Sequence, residues 1–454
     1  MSVAEMFSDF VGNLAISNAE TISTRYGELT SALNKQFRET ESKTANTLQV
    51  GSFGRKTGIN GISDLDMLYI MPKTKWGDYN KAGGQLSLLQ DTKEAILKRY
   101  PTTKVKVDRL VVTVTYTNFH VEVQPVFEQG DQSYLYPDTK NGGSWKTTKP
   151  PAEMTAVADM DVQKNANLRP LCKMARAWKN KHGVGMGGLL LDTLAYNFLA
   201  STTDFDTKSF LYYDWMSQDF FKYLSEQPEQ TEYAAPGSRQ RVKVKKKFQN
   251  KAKKTYKLCL EAIEAEHQKN VNDKWKKVYG RPFPASATAA QEAVAKSFVQ
   301  SWDDTEEFIE DKFPVDIRES MQLDCEVKQN GFREFFLREM LARRIPLMTK
   351  KSLRFEITDV SVSEPYDIYW KVLNRGDAAR KRNCIRGQII KDDGLMQRTE
   401  STSFRGDHIV ECYCVKDGVV VAKNRIHVPI NGVHVPADHE HRFRFNVNTI
   451  SGPM

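Results

Sequence analysis

A chain of 454 residues with 40% hydrophobic content can bury two or three domain cores, and a formal net charge of +9 favours polyanionic partners. The six cysteines are scattered, and only Cys412 and Cys414 stand close together, which excludes a zinc finger and a disulfide framework and favours a reducing cytoplasm. The start, Met1 to Met6, lacks the basic and apolar segments of a signal peptide. The most apolar run, Gly187 to Ala200, contains Asp192 and is too short to span a membrane, so no membrane association is expected.

In chain order, residues 3–40 carry helical periodicity: Val3, Met6, Phe7, Phe10, Val11 and Leu14, then Ile22, Tyr26, Leu29, Leu33 and Phe37. These helices are expected to brace a sheet formed by residues 47–127. Gly51-Ser52-Phe53-Gly54-Arg55 reads as a turn whose small residues let backbone N–H groups and a hydroxyl approach phosphate. Arg55 and Lys56 could neutralise phosphate charge there. Asp64 and Asp66 follow in a strand-like run ending at Ile70. Side chains at i and i+2 share a face, so both carboxylates point the same way. A run from Val105 to Tyr116 and another from Val121 to Val126 are separated by Thr117-Asn118, which predicts a hairpin. The second run brings Glu122 into play. Three carboxylates at neighbouring strand ends repel one another unless a hard divalent cation lies between them. Two magnesium ions, or manganese in their place, could then activate an attacking hydroxyl and stabilise the leaving oxygen. Taken singly, the Asp-x-Asp pair reads equally well as a solvated acidic pair.

The ordered set of Gly51, Ser52, Asp64, Asp66 and Glu122 before Pro125 resembles the polymerase-beta-like nucleotidyltransferases. The resemblance is strongest to their cyclic GMP–AMP synthase-like and oligoadenylate synthase-like branch, the bacterial CD-NTases of SMODS type. The family commonly carries Asp where Glu122 stands. The resemblance implies an α+β, two-lobed fold, with a mixed sheet and a helical lobe, and it implies that Asp64, Asp66 and Glu122 are both the catalytic residues and the metal ligands. Downstream, Leu168 to Lys179 reads as a helix with an apolar stripe of Leu168, Leu171, Cys172, Ala175 and Trp178, and with Lys173 and Arg176 on the other side. The resemblance assigns Lys173 and Arg176 to the donor triphosphate, beside Gly51, Ser52 and Arg55. The chain departs from its relatives just before Asp192, where Gly187-Gly188-Leu189 replaces polar and aromatic residues.

Residues 1–154 are expected to form the catalytic lobe, with Asp131 to Pro151 a long loop leading to a helical lobe at 155–284 that ends at prolines 282 and 284. Between Arg239 and Lys257, ten of 19 residues are Lys or Arg. This segment is either a nucleic-acid patch or the solvated face of a helix with Phe248, Ala252 and Tyr256 turned inward. A linker is expected at 285–300. From Leu353, short alternating runs predict a mainly-β sandwich-like domain over 301–454. It resembles the AGS-C predicted nucleotide-sensor module through Gly331-Phe332-Arg333, Pro365 to Trp370, Asn374-x-Gly376, Arg386-Gly387, Glu400-x-Thr402 and Gly406 to Tyr413. Trp370 could stack on a base there, Arg386 could grip a phosphate, and His408 with Glu411 could read polar edges. Equally, Trp370 could be core and His408 bonded internally.

The expected activity is metal-dependent joining of NTPs, ATP or GTP among them, into a cyclic di- or oligonucleotide second messenger. The family likeness adds a place in CBASS anti-phage defence, an effector that responds to the product, and a nucleic-acid or protein activator. The rival readings are template-independent transfer to an RNA, protein or small-molecule hydroxyl, supported by the basic segment, and a nucleotide sensor without turnover.

Overall fold

The computed structural model describes residues 2–286, 306–329, 334–374, 379, 381, 386–403 and 405–430. Most of the expected linker at 285–300, together with Gly331-Phe332-Arg333 and Gly376, lies outside them. Contacts divide the chain into two compact units. One comprises Met1–Val294 with Lys312–Arg318, the other Ala295–Asp311 with Glu319–Met454.

The first unit opens with α1 (Val3–Asn13). A reciprocal cap starts this helix: the Glu5 N–H donates to Ser2 Oγ and the Ser2 N–H to Glu5 Oε2. Then follow α2 (Ala19–Arg38), β1 (Thr47–Gln49), α3 (Gly51–Gly54), β2 (Asp64–Ile70), α4 (Trp76–Tyr79) and α5 (Gly84–Arg99). Next come β3 (Lys104–Val107), β4 (Val112–Thr115), β5 (His120–Glu128), β6 (Tyr134–Asp138) and β7 (Ser144–Thr148). The sheet order is β1-β2-β5-β4-β3, with β6 and β7 continuing from β5. The β2–β5 pair is parallel while β1–β2 and β4–β5 are antiparallel, so the sheet is mixed. Alternation in β2 and β5 sends Leu65, Met67, Val121 and Val123 into one core with Ile22, Leu29 and Leu33 of α2 and Leu88, Leu89 and Ile96 of α5.

The helical half contains α6 (Pro150–Gln163), α7 (Leu168–His182), α8 (Gly188–Ala200) and α9 (Tyr213–Glu226), then a small hairpin of β8 (Glu232–Ala234) and β9 (Arg241–Lys243). It closes with α10 (Gln249–Glu264) and α11 (Val271–Tyr279). Helix α1 joins this half rather than the sheet, which corrects the expectation that both N-terminal helices brace the sheet. Phe7 packs edge-on to Trp275 and Phe283, with ring centroids 5.0 and 5.4 Å away. Only α2 does the bracing.

Two further expectations change. The run from Val105 to Tyr116 is two strands, because the chain turns at Asp108, whose N–H donates to Val111 O. Thr117-Asn118 does join the antiparallel pair β4–β5. The stretch from Asp131 to Pro151 is not a loop: it holds the β6–β7 hairpin and the first residues of α6. Its turn contains Asn141, Gly142 and Gly143, all at positive φ. Trp145 of β7 packs on Trp76 and Phe127, at 5.0 and 5.6 Å between centroids, and that burial holds the hairpin. The basic stretch from Arg239 to Lys257 spans an exposed strand, a bend and a helix start, with Phe248 and Ala252 buried as expected for a solvated helix face.

The second unit has two four-stranded antiparallel sheets, described here from β10 (Met321–Lys328), β11 (Phe335–Phe336), β12 (Ser352–Val360), β13 (Asp367–Asn374), β14 (Arg386–Lys391), β15 (Gln397–Ser401), β16 (Gly406–Lys416) and β17 (Val419–Ile430). Their orders are β11-β10-β12-β15 and β14-β13-β16-β17. Cys325, Val327, Leu353 and Phe355 of the first share one core with Ile368, Trp370, Cys412 and Val421 of the second, as in a sandwich. The whole chain is therefore α+β with a C-terminal mainly-β unit. Among the described residues no helix is long and apolar enough to cross a membrane.

Candidate active site

The parallel register of β2 and β5 sets Asp64 beside His120 and Asp66 beside Glu122. Because each strand shows alternate residues on one face, these four side chains line the same surface, opposite the apolar core. Donor atoms of Asp64, His120 and Glu122 lie within 4.8 Å of one another. His120 Nε2 contacts Asp64 Oδ1. Strand register thus sets Asp64 and Asp66 alongside Glu122, while the close trio of donor atoms is Asp64, His120 and Glu122, with Asp66 outside it. His120 stands two residues before Glu122, so strand alternation alone could have placed it here.

Gly51 explains the tight turn ahead of β2. Its φ is +63°, a region only glycine enters without strain, and a Cβ here would lie 1.6 Å from Asp66 Oδ2. The backbone must therefore pass directly against the carboxylate. Ser52 follows in α3, half-buried, and its carbonyl accepts the N–H groups of Thr57 and Gly58 at 2.9 and 3.1 Å.

Crowded charge shows in the titration of the cluster. Burial first, then the Asp64 charge, push Asp66 up to about 6. Burial, then Asp64 and Asp66, push Glu122 up to about 7. Burial alone would favour a neutral His120, but the Asp64 and Glu122 carboxylates outweigh it and hold the imidazole above its ordinary value. Carboxylate oxygens of this kind suit a hard divalent cation, and an imidazole widens the choice toward manganese. The donor set fits a metal site.

A residue with no local signal completes the cluster. Arg318 contacts Asp64 Oδ2 and pairs through Nε with Asp316 at 2.8 Å. Asp316 in turn binds Lys179 Nζ at 2.5 Å, and the Lys179 side chain is 1% exposed. Arg318 lies 254 positions beyond Asp64, so no motif window contains both.

The basic residues expected to hold the triphosphate are arranged differently. Asp192 accepts from Arg176 Nη2 at 3.0 Å, from Arg55 Nε at 3.0 Å and from Thr57 Oγ1 at 2.8 Å. Arg55 also reaches Glu153 at 3.4 Å. Burial would raise the Asp192 carboxyl, but the Arg176 and Arg55 charges hold it down at about 2. Arg55 and Arg176, which the family likeness assigns to the donor triphosphate, are thus buried and paired with Asp192. Arg176 Nη2 also donates to Gly188 O at 3.3 Å, and a Cβ on Gly188 would come within 3.2 Å of that nitrogen, whereas one on Gly187 would meet open space. Lys173 is half-buried on α7, and burial, with Arg169 nearby, lowers its pKa.

In the second unit, Trp370 is 2% exposed and its Nε1 donates to Asp392 Oδ1 at 2.7 Å, so its ring is core and not a stacking platform. Arg386 grips Glu400 through two nitrogens, at 2.6 and 3.1 Å, which occupies the fork expected for phosphate. His408 is buried. Glu411 accepts from Tyr413 Oη at 2.7 Å.

Comparison with known proteins follows the same division. The family model described as "Second Messenger Oligonucleotide or Dinucleotide Synthetase domain" matches residues 1–161, and "Adenylyl/Guanylyl and SMODS C-terminal sensor domain" matches residues 303–431. A cyclic AMP-AMP-AMP synthase of Acinetobacter sp. is 24% identical over 192 residues, which are 40% of this chain and 53% of that protein. The match thus spans about half the length of that curated relative. Among solved structures, E. coli CdnC with ATP is 15% identical and covers 62% of this chain and 98% of its own, with a TM-score of 0.46. Vibrio cholerae DncV bound to 3'-deoxy ATP is 15% identical and covers 53% and 69%, with a TM-score of 0.45. The acidic cluster thus lies in a stretch that matches the SMODS domain, and the β-sandwich in one that matches the AGS-C sensor module.

Proposed function

We propose that this chain is a metal-dependent nucleotidyltransferase that joins NTPs, ATP or GTP among them, into a cyclic di- or oligonucleotide signal. The observation that carries the reading is the parallel β2–β5 register, which brings Asp64, Asp66 and Glu122 together beside a glycine-lined turn. Asp64, Asp66 and Glu122 would hold two magnesium ions, whose chemistry is to stabilise charge on the attacking and leaving oxygens. Glu122 would complete the metal site and help activate the attacking hydroxyl. That oxygen then bonds to the α-phosphorus while the bond to pyrophosphate breaks. Ser52 and Lys173 would orient the donor triphosphate, and Arg55 and Arg176 would act by fixing the wall behind it through Asp192. The likeness of residues 1–161 to the SMODS domain and of residues 303–431 to the AGS-C module supports a cytoplasmic role in CBASS, with an effector that reads the product.

The test is to incubate pure protein with magnesium and labelled NTPs. Soluble phosphatase-resistant product is expected, reduced on the order of a thousandfold by Asp64→Ala or Asp66→Ala, since several kcal/mol of transition-state stabilisation are lost. Product formation unaffected by either change would refute the assignment.

A further inference from the structure

Both oxygens of Asp64 are engaged by cationic or potentially cationic groups: His120 Nε2 at Oδ1 and Arg318 Nη2 at Oδ2. Arg318 is a permanent cation, because a guanidinium does not lose its proton in proteins. Its charge acts on Asp64, Glu122 and Asp66 together, the same three carboxylates that a metal would neutralise. The residue does not reach the cluster by a loose side chain. It ends a segment, Lys312–Arg318, that packs within the catalytic unit although the chain on either side belongs to the C-terminal unit.

Three contacts pin that segment to α7. Asn180 Nδ2 donates to Val315 O at 2.7 Å, and the Ile317 N–H donates back to Asn180 Oδ1 at 3.1 Å. Lys179 pairs with Asp316, and Ile317 is fully buried. The next residue, Glu319, donates its N–H to Val421 O inside the C-terminal unit. In the chain, Arg318 is therefore one peptide bond from the unit that matches the sensor-domain model.

We propose that Arg318 is a tethered counter-ion for Asp64, and that a divalent ion entering the acidic site must displace it. This rests on the metal-site reading above. Each Asp64 oxygen already has a cationic or potentially cationic neighbour in contact, so a divalent ion that coordinates Asp64 meets charge repulsion from that side. Arg318 is the neighbour that gives way, because a guanidinium carries a fixed charge and offers no lone pair to a metal, whereas an imidazole nitrogen is a metal ligand type. The segment Lys312–Arg318 then leaves its place against Asp64 as metal binds, and the strength of its docking on α7 sets the apparent metal affinity.

The experiment measures Mn2+ binding to the full-length protein by calorimetry, with amide exchange over residues 312–318 in parallel. Arg318→Gln is expected to bind Mn2+ on the order of tenfold tighter than the unaltered chain, the usual effect of one close charge on a carboxylate site. Arg318→Lys, which keeps the charge, is expected to stay near the unaltered value. Exchange of the Ile317 amide should speed up at saturating Mn2+. Equal or weaker Mn2+ binding by Arg318→Gln overturns the proposal while leaving the metal site standing, provided Asp66→Ala still abolishes binding. No binding by either the unaltered chain or Arg318→Gln overturns both readings. Should Arg318→Gln fail to fold, the exchange data decide, since an Ile317 amide protected equally with and without Mn2+ overturns the proposal.

Discussion

Replacing Gly51 by alanine isolates the close approach on which the catalytic cluster depends. The added Cβ would sit 1.6 Å from Asp66 Oδ2, 2.6 Å from its Cγ and 3.0 Å from its Cβ. To restore even a 3.0 Å contact, the carboxylate oxygen must retreat by roughly 1.4 Å. Metal ligands tolerate displacements of only about 0.2 Å, so Asp66 would be lost as a ligand or bound badly. The backbone itself costs less. An alanine at φ +63° adds about 1 kcal/mol of strain, which in a unit of this size lowers Tm by about 2 °C. Gly51→Ala should therefore remain folded while Mn2+ affinity falls on the order of a hundredfold. Gly83→Ala is the control. Gly83 has φ +74° with nothing within 4 Å of a Cβ, so it carries similar strain without the clash. Calorimetry with Mn2+ and a thermal melt on both variants separate the two effects. A folded Gly51→Ala protein with unaltered Mn2+ affinity would refute the argument.

Two further substitutions probe the buried charges. Asp192→Ala should cost about 3–5 kcal/mol in urea unfolding, because it strands the Arg55 and Arg176 side chains, only 6% and 7% exposed, without their carboxylate; a loss under about 1 kcal/mol would contradict this account. The Asp192 carboxyl, held at about 2, contributes stability that is present above its ordinary value of 3.8 and lost as pH falls through 2. Asp214 has the opposite sign: burial pushes its carboxyl up to about 6, so the folded chain binds the extra proton and stability declines as pH rises from 3.8 to 6. Asp214→Asn should stabilise the protein at pH 7 by up to about 3 kcal/mol, at about 1.4 kcal/mol per unit. That gain should vanish below about pH 4, and a gain independent of pH would show that charge is not its cause.

The acidic cluster was legible because its parts are local. Asp64 and Asp66 share a face through strand alternation, and Glu122 lies in a run whose Val121 and Val123 mark the opposite face. The sandwich was legible for the same reason: β12, β13, β16 and β17 all carry period-two apolar patterns. Trp370 shows where such reading stops, since a tryptophan in an alternating strand serves a core or a base equally well until its neighbours are known.

The misplaced elements share a cause. The β6–β7 hairpin is held by Trp145 against Phe127 and Trp76, the latter a contact across about 70 positions of chain. Helix α1 carries the same amphipathic pattern whichever half it joins, and only Trp275 and Phe283, far downstream, decide the matter.

Local periodicity, then, determined by itself that three acids lie on one sheet surface and that a β-rich unit follows, because side-chain direction in a strand depends on spacing alone. Tertiary structure decided which cations meet which carboxylates. Arg55 and Arg176 converge on Asp192, and Arg318 arrives at Asp64 from the far end of the catalytic unit, because charge pairing acts through space and leaves no period in the sequence.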